Sequence, residues 1–406
     1  MESSMRLLKV VVKGAGLFVN DTFSMDFYAA DRVSGKEGPA YNHVHRLEET
    51  SSIYSQNVVG ISGVNASGKS TALKVIQLAL DLIYAPYFMR RGYSRRHLPA
   101  KMRKRISLQT VFWQGGSYYL LESELRTTRS ADEGDSPNWF RINDETLWRL
   151  TAARPNKAMI GSLEKFKDNA EVYLRRNQGT DDGKSVPLEA RRFLRDNISI
   201  AVVLGTSDKG KEQFSPHDIL RTSHATAIVH AFDSSVEILE WMPAADAFRL
   251  KFYGEEERMV SSETVLDMLS DGTVAGIGFA ERALIQLRAG GHLLIDEIGA
   301  GLSQSLIMTI IQLFQSPVTN PHGAQLIFTT SYVELLDFLP RKDSVYLLVR
   351  NKEFNTEVVK YSDRISHIEK SKKSEVVLAN VIAGSLPSYP EVEGMRTYAR
   401  DFVRGK

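Results

Sequence analysis

Gly63-Val64-Asn65-Ala66-Ser67-Gly68-Lys69-Ser70 constrains this chain more than any other segment. An apolar stretch, Asn57 to Ile61, precedes it, and an apolar-periodic segment from Thr71 to Tyr84 follows. That order predicts a strand, a tight loop and a helix, with glycines freeing the backbone to wrap an anion at the helix N-terminus. The spacing GxxxxGKS supplies backbone N–H groups from Gly63 through Gly68, including those of Asn65, Ala66 and Ser67. It also supplies Lys69 for β/γ-phosphate oxygens, Ser70 for Mg²⁺, and Thr71 in the first helical turn. The segment predicts a nucleoside triphosphate site. A plain glycine-rich turn would leave Lys69 and Ser70 without a role.

The 406 residues suffice for two or three compact units, and 43% hydrophobic content can furnish cores. Net charge is only +2. No apolar run approaches the roughly 18 residues of a membrane span, and Met1 to Lys13 lacks a secretion-signal pattern. A cytoplasmic protein without a membrane segment is expected. There is no cysteine, which excludes disulfides, thiolate metal sites and cysteine nucleophiles and suits a reducing compartment. Charge concentrates between Arg90 and Arg105, where Arg90, Arg91, Arg95, Arg96, Lys101, Arg103, Lys104 and Arg105 occur without an acidic residue. Two readings carry equal weight. One is a surface for nucleic acid or an acidic partner, with Tyr93 and His97 to stack on bases; the other is a solvated loop between helix and strand.

Arg6 to Lys13 and Phe23 to Phe27 predict a hairpin, followed by a polar loop from Ala30 to Gln56. Ile106 to Trp113 and Ser117 to Leu125 predict a second hairpin turned at Gln114-Gly115-Gly116. Three regions follow from this pass: 1–126 as the first half of a nucleotide-binding head, 127–260 as a mainly helical insertion, and 261–406 as the second half with a C-terminal tail. Within the insertion, helical periods run over Ser162 to Arg175 and Ile219 to Trp241, and Ile198 to Leu204 reads as a buried strand. From Ser261 apolar strands and amphipathic helices alternate, as in an α/β sheet.

Gly291 to Glu297 (GHLLIDE) is an apolar strand ending in two carboxylates. Its end belongs at the carboxyl edge of a sheet, beside the phosphate loop. Asp296 can then hold Mg²⁺, and Glu297 can orient and deprotonate a water. Leu269-Ser270-Asp271-Gly272-Thr273 opens the helix-like segment Val274 to Arg288 and reads either as a second anion-binding terminus or as an ordinary cap.

Phosphate loop, long insertion, Ser270-Asp271-Gly272 at a helix start and Asp296-Glu297 after an apolar strand, in that order, resemble the ABC-type ATPase heads of the SMC, RecF and OLD group. The likeness is nearest to the compact AAA-type ATPases of abortive-infection systems and spans about residues 5–125 and 261–385. It implies an α/β ABC-type P-loop head with an antiparallel β lobe and a mainly helical insertion. Gly63 to Ser70 would be Walker A, Leu293 to Glu297 Walker B, and Ser270 and Gly272 the signature motif. The resemblance further implies a homodimer or higher even oligomer that sandwiches ATP. Lys69 and Ser70 of one chain, and Ser270 and Gly272 of another, would contact each nucleotide.

Two positions depart from the family pattern. After Gln325 to Phe328 relatives carry Thr-His, whereas this chain has Thr329-Thr330-Ser331-Tyr332, so Ser331 stands where a histidine senses the γ-phosphate. Gly299-Ala300-Gly301-Leu302-Ser303 lacks a further histidine common in the compact relatives. Losing one such contact costs on the order of 10²-fold in rate, so slow hydrolysis is expected unless Thr330 or a partner compensates. Gln109 and Gln114 are candidates by position for the glutamine that reaches Mg²⁺. His43, His45, His217, His224 and His230 form no metal-binding spacing and read as surface histidines.

The resemblance implies an ATPase in which Glu297 is the base, Lys69 stabilises phosphate charge, and Ser70 and Asp296 position Mg²⁺. Its expected role is a sensor or scaffold in bacterial anti-phage defence, controlling a separately encoded nuclease or toxin effector. Roughly 70 residues follow Ser331, fewer than a typical further domain of about 100. The alternative is a RecF-like ATP-dependent clamp that binds DNA through Arg90 to Arg105.

Overall fold

A computed structural model describes residues 5–33, 43–49, 51–84, 98–128, 139–176, 198–205, 220–222, 224–299, 302–365, 372–385 and 389–404. Arg90 to His97, His217, and the pair Ala300 and Gly301 lie outside the described residues. The chain opens with the expected antiparallel pair, β1 (Arg6–Lys13) and β2 (Thr22–Asp26). The segment expected as a polar loop instead contains two paired strands, β3 (Val44–Arg46) and β4 (Tyr54–Gln56). Leu47 and Ile53 draw it down, burying beside Leu8 and Trp113.

Next come β5 (Val58–Gly63) and α1 (Lys69–Tyr84), the strand and helix predicted around the phosphate loop. Helix α1 is buried on nearly every side because it lies between two sheets, its Ile76, Leu80 and Ile83 meeting residues of both. The second hairpin, β6 (Arg105–Gln114) and β7 (Ser117–Thr128), turns at Gly115 and Gly116. Their φ values of +56° and +77° are the left-handed pair that a two-residue type I′ turn needs.

Residues 127–260 depart from the mainly helical expectation. Strand β8 (Trp139–Leu150) is followed by short α2 (Lys157–Gly161) and α3 (Leu163–Asp168), then β9 (Ala170–Arg175). Both strands extend the first sheet, whose order β2-β1-β6-β7-β8-β9 is antiparallel throughout. Ile200–Leu204, within the expected buried strand, is a 3₁₀ turn. Its Ile200 N–H donates to buried Glu145 Oε2 at 2.8 Å, so a side chain on β8 takes the bond a neighbouring strand would have taken. The period from Ile219 to Trp241 divides between α4 (Ala225–Phe232) and β10 (Val236–Met242), which pairs with β11 (Ala247–Phe252) and then β12 (Arg258–Ser261).

Helix α5 (Asp271–Ala289) joins two cores. Ile277 packs with the small sheet, whereas Phe279, Ala283 and Leu287 pack with the second large sheet. That sheet contains β13 (His292–Ile295), β14 (Gln325–Thr330), β15 (Val345–Arg350) and β16 (Thr356–Lys360), with α6 (Gln304–Gln315) between the first two. Its order is β13-β14-β5-β15-β16, parallel except for β16. The tail adds α7 (Tyr361–Arg364), α8 (Lys373–Leu378) and α9 (Tyr389–Val403). The architecture is therefore mixed α/β. No helix among the described residues is long and apolar enough to cross a membrane.

A polar cluster ties the large sheets together. Gln325 on β14 accepts the Leu7 N–H at 3.0 Å and donates to Gln56 O at 3.0 Å. His292 donates from Nε2 to Gln325 Oε1 at 2.8 Å, which leaves Nδ1 to accept from the Tyr84 hydroxyl at 3.0 Å. Arg6, fully buried, donates to the Gly290 carbonyl at the C-terminus of α5, where the helix dipole favours a cation. These bonds fix β1, α1, α5, β13 and β14 relative to one another.

Candidate functional site

The parallel strands β5, β13 and β14 end at one edge of the second sheet, where Thr329 and Thr330 lie opposite Ile61 and Ser62. The loop leaving β5 turns through left-handed residues, Ala66 at φ +62° and Gly68 at +97°. That φ is what calls for glycine at position 68; a Cβ there would also meet the Leu17 side-chain tip at 2.5 Å, which the leucine could relieve by moving. Thr356 Oγ1 holds the loop by donating to Ser67 O at 2.8 Å, and the Arg350 guanidinium donates to Ala66 O. At the start of α1, the N–H groups of Lys69, Ser70 and Thr71 have no acceptor among the described residues. They are free to meet an anion.

Lys69 folds back onto this loop. Its ammonium donates to Gly63 O at 2.9 Å and Val64 O at 3.4 Å, and stands 3.2 Å from Glu297 Oε1. Thr329 Oγ1 donates to Asp296 Oδ1 at 2.6 Å while accepting the Glu297 N–H at 2.8 Å. Glu297 itself adopts φ +50°, a conformation that costs a non-glycine residue roughly 1–3 kcal/mol and persists where its surroundings hold it. Ser331 holds the carboxylate, donating from N to Oε2 and from Oγ to Oε1, both at 3.0 Å. Asn65 Oδ1 lies 3.4 Å from the same hydroxyl. Thus Asn65, Lys69, Asp296, Glu297 and Ser331, all expected from sequence, meet at one edge.

Beside them opens a cleft of about 680 Å³ lined by the loop and by Glu297, Arg350, Leu17, Met102, Lys101 and Arg103. Lys101 donates to Thr71 Oγ1 at 3.2 Å, and Arg103 pairs with Asp21 through bonds of 3.0 and 3.1 Å. The end of the basic run therefore lines the same cleft as the Gly63–Ser70 loop. Composition marked these cations, but only the packing of β1 against β6 brings them here. Arg350 and Thr329 carried no sequence signal beyond their place in apolar strands. The cleft gathers four cations and unpaired helix N–H groups against a wall that carries the Glu297 carboxylate. Such an arrangement can hold a polyanion and orient a water.

Ser270 Oγ accepts the Thr273 N–H at 3.1 Å as the N-cap of α5, and neither Ser270 nor Gly272 lines the cleft of its own chain, whereas the expectation puts them on the nucleotide of a partner chain. Two other expectations fall elsewhere. Gln109 donates to Glu122 at 2.9 Å and Gln114 to Leu204 O at 3.2 Å, so neither glutamine reaches the site in this arrangement. His45 is not a surface residue: it is partly buried, and burial pushes its pKa down to about 4. Among the described residues no cluster of three or more histidines and carboxylates is built to hold a metal. A comparison with protein-family models finds no match, and a comparison with curated proteins finds none.

Proposed function

We propose that this chain binds ATP with Mg²⁺ in the cleft and hydrolyses it in a dimer that sandwiches the nucleotide. The observation that carries this reading is the Lys69–Glu297 contact of 3.2 Å, which joins the phosphate loop to the carboxylate end of β13. The cradle fits a phosphate chain: it has left-handed Ala66 and Gly68, and free N–H groups at the start of α1. Ser70 Oγ and the second oxygen of Asp296 are hard donors suited to Mg²⁺, which supplies charge neutralisation across phosphate oxygens when bound.

The residues present then divide the work. Lys69 exchanges its contacts with Gly63, Val64 and Glu297 for phosphate oxygens. Glu297, released from the ammonium but still held by Ser331, orients a water and accepts its proton at Oε1. Lys101 adds positive charge on the opposite side of α1's first turn, a role that offsets the neutral Ser331. Ser270 and Gly272 would come from the partner chain. The motif order and its resemblance to compact abortive-infection ATPases support a sensor or scaffold role in anti-phage defence, acting on a separate nuclease or toxin. Copurification with such an effector tests that role.

Fluorescent-ATP titration and phosphate release test the chemistry. Glu297→Gln is expected to bind ATP within a few-fold of the parent while turnover falls on the order of 10²- to 10³-fold. Lys69→Ala is expected to lose binding. Turnover by Glu297→Gln at the parental rate would remove Glu297 as the base, and absence of ATP binding by the parent would sink the whole reading.

A further inference from the structure

We infer that the exposed end of one face of the first sheet carries a phosphodiester-binding cleft for nucleic acid, distinct from the ATP cleft and not dependent on it. Arg105 on β6 and Arg126 on β7 are directly opposite in register and both exposed. Opposite residues of an antiparallel pair share a face, so two guanidinium groups stand side by side, which destabilises a sheet unless an anion lies between them. Lys13, at the end of β1 and opposite Ser107, adds a third cation. These three, with Ser107 and Asn143, border a cleft of about 340 Å³.

Glu124 is the one carboxylate on its border, and it forms no ion pair with Lys13, Arg105 or Arg126; nor does any other carboxylate of the described residues. On the same sheet Lys9 pairs with Asp26 and Arg149 with Glu171. The unmatched three sit on adjacent strands β1, β6 and β7. They span about 10 Å at the usual strand spacing. That reach serves successive phosphates of a chain, whereas a lone phosphate needs only one guanidinium pair. No aromatic residue borders the cleft, and its apolar residues, Ile106 and Leu125, are buried in the core, so the contact is to backbone and indifferent to sequence.

Anisotropy of a labelled 20-base-pair DNA duplex, in nucleotide-free buffer from 50 to 200 mM KCl, tests the cleft. The double variant Arg105→Gln/Arg126→Gln is expected to bind about tenfold or more weakly, with the slope of log K against log salt reduced by about 2. Its melting temperature should hold or rise, because like charges are removed. Lys69→Ala should leave DNA affinity unchanged, which separates this cleft from the ATP reading. Any of four results overturns the inference: no binding by the parent at 50 mM, unchanged affinity and slope in the double variant, a lowered melting temperature, or displacement of DNA by 10 mM inorganic phosphate as complete as by unlabelled duplex.

Discussion

Thr329 Oγ1 donates to Asp296 and accepts from the Glu297 N–H, so one neutral side chain on β14 orients the Asp296 carboxylate and fixes the Glu297 backbone. Lys69 and Glu297 were legible because their spacing follows from loop and strand chemistry. Thr329 was not, since its partner is 32 residues away and only the β13–β14 register brings them together. His292, at the start of β13, shows a second effect of burial. Desolvation pushes its pKa down to about 3, with repulsion from Arg6 acting in the same direction and the bond to Gln325 opposing it. The folded pKa lies below the unfolded value of ~6.5, so the unfolded chain takes up the proton first. Stability is therefore fully present above pH ~6.5 and is lost as pH falls toward 3. Between pH 7 and 4.5 this residue is expected to cost on the order of 2 kcal/mol. Urea unfolding of His292→Gln should show a flatter loss over that window, though from a lower starting stability. Parallel pH profiles for parent and variant would place the proton uptake elsewhere.

Helix α5 couples the small sheet to the large one, and its N-terminus serves two demands. Ser270 caps the helix through Thr273, and in the proposed dimer it would also face a nucleotide. The demands separate by substitution. Ser270→Ala should lose the cap and about 1 kcal/mol. Ser270→Asp keeps a good cap and thermal stability but places a carboxylate where phosphate would approach, so ATP-dependent dimerisation should vanish. Dimerisation that survives in Ser270→Asp would leave Ser270 as a cap only. Other elements show why the region after β7 was misread. Strand β8 places Glu145 among its buried positions, bonded to Ser123 at 2.9 Å and paired with Arg176, so the apolar alternation of a strand is broken. Within the apolar run Ile198 to Leu204, Ile200 and Ala201 are buried against the first core at the start of the 3₁₀ turn Ile200–Leu204, and hydrophobicity alone cannot separate that from a strand. By contrast, both hairpins and the β5–α1 unit were legible, because glycine turns and the period change from 2 to 3.6 are local signals.

At the scale of the molecule, the proposed site is complete on one side only. Lys69, Lys101 and Glu297 line an open cleft, whereas Ser270 and Gly272 head α5 and do not line it. Tyr332, 59% exposed, lies over Gly299 at the site's rim, where a Cβ on Gly299 would come within 2.4 Å of the ring. An exposed aromatic beside an incomplete polar site is the kind of surface a second chain covers. Each chain offers one cleft and one α5 terminus, so the proposed twofold pair would complete two sites at once, as isologous symmetry requires. Nucleotide would then act as part of the interface, and blocking hydrolysis should trap the pair. Light scattering of Glu297→Gln with saturating ATP and Mg²⁺ is expected to shift from the 45.5 kDa chain to about twice that mass. ADP, or omission of Mg²⁺, should leave the chain mass unchanged. Adding Lys69→Ala to Glu297→Gln should abolish the shift, since the loop lysine is needed to hold the phosphates. A shift that persists in that double variant would mean a dimer built from other surfaces, and no shift in Glu297→Gln at saturating ATP would leave Ser270 and Gly272 without a nucleotide to contact.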